Sequence, residues 1–329
     1  MNKVQLVEID KDEDGMRLDR WFRLRFPDIA FGALQKMIRT GQVRVDGGRV
    51  KTNVRIMAGQ QVRVPPLPVT MKASHKRSEP ALSDKDQAFI ESLVLHMDDR
   101  IIALNKPAGL ATQGGTNTRK HIDGLLQGLT FGLKERPRLV HRLDKDTSGI
   151  LLVARTAQAA RSLTASFKRN TAKKLYWAMI EGVPKPQAGT IDLPLIKQPG
   201  PDGERVVIDC KNGKCSQTRY RLLDHAARKS SLLAMEPLTG RTHQLRVHAL
   251  HGLGVPLLGD RKYGGDKAFP EGFPVEPFLY LHARRIVIPH PNGQIFDMLA
   301  PVPDHFSMLM DVFGFEKTEN NDFFLHELE

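Results

Sequence analysis

A stretch with no apolar rhythm divides this chain and limits what it can fold into. Between Pro65 and Lys85 the sequence holds Pro65, Pro66, Pro68 and Pro80, with Ser, Lys and Arg among them. Proline fixes φ and removes a backbone donor, so neither a helix nor a central strand runs through such a segment. The 329 residues therefore read as two folding units. The expected division is a small module at 14–65, a flexible linker at 66–89, a large domain at 90–316 and a loose acidic tail at 317–329. The large domain has enough chain to bury a core without disulfides or structural metal.

The small module is short on apolar residues but places them well. Leu18, Trp21, Phe22 and Leu24–Phe26 sit at helical spacing with arginines between them, and Pro27 ends that helix. A second helix is expected from about Phe31 to Thr40, with Leu34, Met37 and Ile38 inward and Gly41 as its C-cap. Val43–Val45, a turn at Asp46-Gly47-Gly48, and Val62–Val64 read as short strands. Between Met16 and Val64 stand eleven Lys and Arg against three Asp, a net of +8 out of +12 for the whole chain. A positive excess concentrated in one small module suggests a polyanionic partner.

The large segment changes period. Ile101–Asn105, Gly149–Ala154, Leu175–Glu181, Leu232–Pro237 and Arg285–Ile288 read as strands, and Ala157–Phe167 and His243–His251 as helices. Val206–Cys210 and Ser216–Leu222, with Asn212-Gly213 between them, look like a hairpin. Many strands with few helices imply an α+β fold with a mixed, mostly antiparallel central sheet.

Several function classes drop out. Two cysteines, Cys210 and Cys215, make neither a disulfide framework nor a four-cysteine zinc site, and they suit a reducing cytoplasm. The charged start of the chain does not look like a signal peptide, and no apolar run is long enough to span a membrane. No GxxxxGK[ST] loop is present. Gly252-Leu253-Gly254 follows an expected helix instead of a strand, so it is not a dinucleotide fingerprint. His243, His248 and His251 lack zinc-site spacing and are expected to be structural or RNA-contacting, not ligands.

Two stretches carry unusual chemistry. His141-Arg-Leu-Asp144-Lys-Asp-Thr-Ser-Gly149 is a polar loop feeding a buried strand, which can hold a carboxylate rigidly at a cleft; a plain Asx turn has the same composition. Thr239-Gly-Arg241-Thr-His243-Gln-Leu-Arg246-Val-His248 can bring two arginines to a carboxylate or phosphate, or can be a solvated basic face. Tyr176 opens a strand and taken alone is an ordinary half-buried tyrosine.

In order, Asn105–Gly109, His141–Gly149, Tyr176, Thr239–His248, Gly259–Gly264 and Leu281-His282-Ala283 resemble the motifs of the RluA family of pseudouridine synthases, most closely its RluC-type members. The module at 14–65 resembles the alpha-L RNA-binding domain that several members carry. One departure is Gln113, where many members have a histidine before the paired glycines. The resemblance implies an isomerase that flips uridine out of large-subunit ribosomal RNA and converts it to pseudouridine, without cofactor or metal. It makes Asp144 the catalytic residue, as a nucleophile on sugar or base or as a base at the ribose 2′ position. It gives Arg246 the part of keeping Asp144 ionised, and Tyr176 that of stacking on uracil and helping to remove the C5 proton. Leu281 falls in the substrate pocket. RNA contacts are expected from Arg142, Arg241 and His243, and from Arg17, Arg20, Lys36, Arg39 and Arg44 in the small module. The expected enzyme is a cytoplasmic monomer that needs no nucleotide cofactor. Alternatives that remain are a tRNA-directed enzyme of the same kind, a non-catalytic ribosome-assembly protein, and a different RNA enzyme on the same binding module.

Overall fold

The computed structural model describes residues 4–26, 29, 31–67, 82–115, 118, 120–200 and 203–316. The chain divides into two compact units, 1–81 and 82–329. The first holds β1 (Gln5–Glu8), α1 (Leu18–Arg25), α2 (Phe31–Arg39), β2 (Arg44–Val45) and β3 (Gln61–Val64), with the strands in the antiparallel order β1-β3-β2. Leu18, Trp21 and Phe22 from α1 and Leu34, Met37 and Ile38 from α2 fill its core, as their spacing requires. Leu24 does not join them: it lies on the far side of α1 and is 62% exposed. Gly41 takes φ +74° after α2, and the Asp46-Gly47 turn has positive φ at both residues, as a tight hairpin turn demands. Strand β1, which the sequence pattern did not reveal, completes the sheet. Helix α1 stops at Arg25, and Pro27 lies outside the described residues.

The second unit begins earlier than the expected boundary. Residues 84–89, assigned above to the linker, open helix α3 (Asp84–Ser92), where the Ser83 hydroxyl accepts from the Asp86 amide as an N-cap. Ile90 is fully buried, with Leu82 and Phe89 packed beside it, so this helix belongs to the large core. The rest of the proline-bearing stretch, 68–81, and the acidic tail, 317–329, lie outside the described residues.

Along the chain follow β4 (Val94–Met97), β5 (Ile101–Lys106), α4 (Ile122–Leu125), β6 (Arg138–Leu139), β7 (Ser148–Ala154), α5 (Ala157–Lys168) and β8 (Lys173–Glu181). Then come β9 (Ala188–Asp192), β10 (Leu195–Gly200), β11 (Gly203–Ile208), β12 (Gln217–Ala226) and β13 (Ser230–Pro237). The last elements are α6 (Gln244–His248), α7 (Arg261–Gly264), β14 (Leu281–Pro289), β15 (Ile295–Leu299) and α8 (Asp304–Phe313). The main sheet runs β4-β5-β7-β14-β8-β13-β12-β9, with β6 on β7 and β15 on β14. Of its pairings only β7 with β14 is parallel, so the sheet is mixed and mostly antiparallel, as expected.

Strand β7 is buried at all seven residues because both faces of the sheet are covered. Ile150, Leu152 and Ala154 pack towards α5, while Leu151 and Val153 pack with Ile90, Ile122 and Leu125 from α3 and α4. The basic helix expected over His243–His251 is shorter: α6 ends at His248 and continues as a wider π-type turn over Ala249–Leu253.

The expected hairpin between Val206–Cys210 and Ser216–Leu222 does not form. Strand β11 pairs with β10, and β12 pairs with β13 and β9. The Asp209–Gly213 turn is present, with the Asp209 carboxylate accepting from the Lys211 and Asn212 amides. Beyond it the chain bridges Lys214 to Leu195 and crosses to the main sheet, where Thr218 and Tyr220 of β12 are buried.

Gly149, at the end of the polar loop and the start of β7, has φ +106°, and a Cβ there would sit 2.3 Å from the Ala283 carbonyl oxygen on β14. Gly149→Ala should therefore lower unfolding stability by about 3 kcal/mol or more, measured by urea melts, because backbone atoms must shift. Gly240→Ala, where a Cβ meets nothing within 4 Å, should change it by less than about 1 kcal/mol.

Candidate active site

The large unit contains a cleft of about 710 Å³, within the range of small-molecule sites. Its wall includes Asp144, Tyr176, Arg246, Arg142, Arg241, His243 and Leu281, so the structure brings together every site residue expected in this unit. Asp144 is the only carboxylate in the described lining, against five cations: Arg142, Lys168, Lys174, Arg241 and Arg246. The five expected RNA contacts of the small module, Arg17, Arg20, Lys36, Arg39 and Arg44, are all exposed on that unit. Two of them are engaged locally: Arg17 grips Asp19 through two hydrogen bonds, and Arg44 donates to the Gly41 and Gly47 carbonyls.

The loop bearing Asp144 is clamped from behind by side chains of three other segments. The Lys106 ammonium, fully buried at the end of β5, donates to the carbonyls of Pro107, Leu110 and Lys145 at 2.8–3.0 Å. Three acceptors match the three N–H bonds of an ammonium. Burial pulls this lysine down to about 7, and Asp146 and Asp144 oppose that pull by favouring the charged form. Thr112 Oγ1 both donates to the Leu143 carbonyl and accepts from its amide. On β14, His282 shares a 2.9 Å hydrogen bond with Ser148. His141 stacks on Phe167 with ring centroids 4.3 Å apart, and its Nε2 accepts from the Leu152 amide.

These clamps leave the Asp144 carboxylate available. Its side chain is 29% exposed, and the Nε2 of His243 stands 4.0 Å from it. The turn at this loop is made by backbone, Thr147 N to Asp144 O at 3.2 Å, and not by the carboxylate.

Arg246 departs from its expected pairing with Asp144. Its guanidinium grips the fully buried Asp260 through two hydrogen bonds of 2.9 and 2.5 Å, and reaches Asp146 at 3.5 Å. A buried guanidinium needs a close carboxylate to offset desolvation, and Asp260, capping the short α7, supplies it from a fixed position. Asp144 lies within electrostatic range but outside the pair. Tyr176 is half-buried on β8 beside Ala283 and Met235. Burial, reinforced by the Asp144 charge, pushes its phenol above the ordinary value, so the ring faces the cleft as a neutral phenol.

The residue types alone reveal no role for Lys106, Thr112, Asp260, Tyr263 or His282, although four of them lie in segments that resemble the family's motifs. A lysine ending an apolar strand was the one available signal, and it fits a solvated strand end equally well. His248, weighed as a possible ligand, has both ring nitrogens bonded, to Thr218 and to the Leu193 carbonyl. Among the described residues no group of three His, Cys, Asp or Glu side chains is arranged to hold a metal.

Two predictions concern the clamp. Lys106→Met leaves three carbonyls without their donor, so it should cost about 2–4 kcal/mol in urea unfolding and make the loop at 141–149 exchange its amides faster. The second concerns pH. His141 and His282 are held down to about 3, chiefly by burial. Their folded values lie below the unfolded one, so between pH 6.5 and 3 the unfolded chain binds protons that the native state refuses. Stability should therefore be intact above pH 6.5 and fall with acid, by up to about 1.4 kcal/mol per pH unit for each histidine. The slope should be shallower in His282→Gln, and an unchanged slope would rule out this assignment.

Comparison with known proteins gives concordant results. The sequence family described as RNA pseudouridylate synthase matches residues 100–251. The chain is 35% identical over 321 residues to the ribosomal large subunit pseudouridine synthase C of Vibrio cholerae serotype O1, covering 94% of this chain and 96% of that one. It is 35% identical over 313 residues to the protein of the same name from Escherichia coli strain K12, covering 92% and 94%. Among solved structures, human RNA pseudouridylate synthase domain containing 4 matches with a TM-score of 0.59 and 26% identity, over 70% of this chain and 98% of that one.

Proposed function

Because the chain belongs to the RluA-type family of RNA pseudouridylate synthases, we infer that it converts uridines of large-subunit ribosomal RNA to pseudouridine, with Asp144 as the catalytic carboxylate. The observation that carries this reading is the composition of the cleft: one carboxylate facing five cations. A polyanion is drawn to such a surface, and the one anionic group that opposes it has a chemical reason to be there.

The reaction exchanges a ribose–N1 bond for a ribose–C5 bond within one nucleotide, with no net redox change and no group lost. Asp144 attacks as a nucleophile or removes the 2′-side proton; both routes need an ionised carboxylate beside the sugar. Arg246 acts on it through the local field and through the Asp260-anchored wall, without a direct ion pair. Tyr176 offers its ring face to the uracil. Removal of the C5 proton by Tyr176 would need a phenolate, which burial and Asp144 disfavour, so stacking is the role we assign it. Leu281 closes the apolar side of the pocket. Arg142, exposed beside Asp144, and Arg241 are placed to meet phosphates or to fill the gap left by a flipped base.

The basic module at 14–65, which resembles an alpha-L RNA-binding domain, would hold structured RNA through Arg17, Arg20, Lys36, Arg39 and Arg44, with salt-dependent affinity. Two free, exposed cysteines suit the reducing cytoplasm where such RNA is made.

Release of tritium from unmodified large-subunit ribosomal RNA carrying [5-³H]uridine tests the reading. Wild type should release it, and Asp144→Asn should do so about 10²–10⁴-fold more slowly or worse while still binding RNA. Equal release by the two proteins would remove Asp144 from its role. Release from tRNA alone would redirect the substrate, and a mass increase in the RNA would mark a methyl transferase instead.

A further inference from the structure

His243 holds a backbone conformation that its neighbours do not need. It stands just before α6 with φ 52° and ψ 20°, the left-handed region, which is uncommon for any residue bearing a Cβ. Such geometry persists where the surroundings fix it, and it clusters at working sites. Here it aims the imidazole at two groups at once. Nδ1 lies 2.7 Å from the Tyr263 hydroxyl, and Nε2 lies 4.0 Å from Asp144 Oδ2.

The hydrogen bonds around Tyr263 decide which nitrogen carries the proton. The Val206 amide donates to the phenolic oxygen at 3.1 Å. The phenol's own proton then needs an acceptor, and Nδ1 of His243 is the group in reach. The neutral ring is left with its proton on Nε2, the side that faces Asp144. Tyr263 is itself 7% exposed, and the Arg246 and Arg205 guanidiniums lie over its ring at 5.2 Å. The Asp260 carboxylate that holds Arg246 also accepts from the Tyr263 amide. Burial lowers His243 and raises Tyr263, which keeps both in the neutral forms this arrangement requires.

We propose that His243 is a positioning residue for Asp144, with its tautomer set by Tyr263, and not an RNA contact as the sequence alone suggested. Its Nε2–H steers one carboxylate oxygen, so that the other is presented to the ribose. The remaining gap of 4.0 Å closes to a hydrogen bond, directly or through one water, when RNA fills the cleft. This rests on the function proposed above, but its first test does not depend on activity.

That test is ¹⁵N NMR of the imidazoles in the full-length protein. His243 should carry its proton on Nε2 in wild type and lose that preference in Tyr263→Phe. A proton on Nδ1 in wild type would overturn the proposal, whatever the enzyme does. The second test is single-turnover tritium release at saturating RNA. His243→Leu should slow the step roughly 10- to 100-fold with the half-saturating RNA concentration unchanged. His243→Gln, whose amide offers N–H near the same place, should recover most of the rate, and Tyr263→Phe should fall between the two. A raised half-saturating concentration at unchanged rate would make His243 an RNA contact and overturn the proposal, as would a Gln variant no faster than Leu. Absence of release by wild type would sink the function reading alone, because the NMR result would still stand.

Discussion

One buried ammonium organises the site. Lys106 ends the apolar strand β5 of the large domain, and its three N–H bonds go to carbonyls on two different stretches of chain. A lysine in such a place is costly unless each donor is matched, and here each finds a backbone oxygen. The result ties the segment after β5 to the loop that bears Asp144. Thr112 repeats the arrangement with both the amide and the carbonyl of Leu143. The loop is polar in composition, and its backbone is held by side chains remote in sequence.

With its back fixed in this way, the loop can present a carboxylate that is neither neutralised nor buried. The opposite wall is built on another anchored charge. Asp260 holds Arg246, Arg246 lies over Tyr263, and Tyr263 meets His243. Asp144 is approached from that wall but not locked to it. A direct bidentate pair with Arg246 would occupy both carboxylate oxygens, whereas a guanidinium committed to Asp260 contributes field without taking up the Asp144 oxygens.

The strands and the larger helices were readable because burial on both faces leaves a continuous apolar run, as in β7, and burial on one face leaves a stripe, as in α2. The cleft residues were readable as motif positions, and the structure gathers them in one place. What the sequence did not show was who holds whom. The family resemblance implied Arg246 at Asp144, but the choice between Asp144 and Asp260 is made by the fold around α7, over distances no local pattern encodes. The mistaken hairpin has a similar origin. The turn chemistry of Asp209–Gly213 is real, yet β12 pairs with β13 and β9 and not with the strand that precedes that turn. Helix α3 was taken for linker because the prolines upstream hid a capped start at Ser83.

The one parallel contact in the main sheet, Ser148 with His282 and Gly149 with Ala283, joins residues more than a hundred positions apart. A chain still being synthesised that has emerged as far as Arg246 already carries every lining residue except Leu281. It lacks the strand against which the end of the loop bearing Asp144 is seated. The cleft is complete only when β14 lies between β7 and β8 and brings Leu281 to its wall.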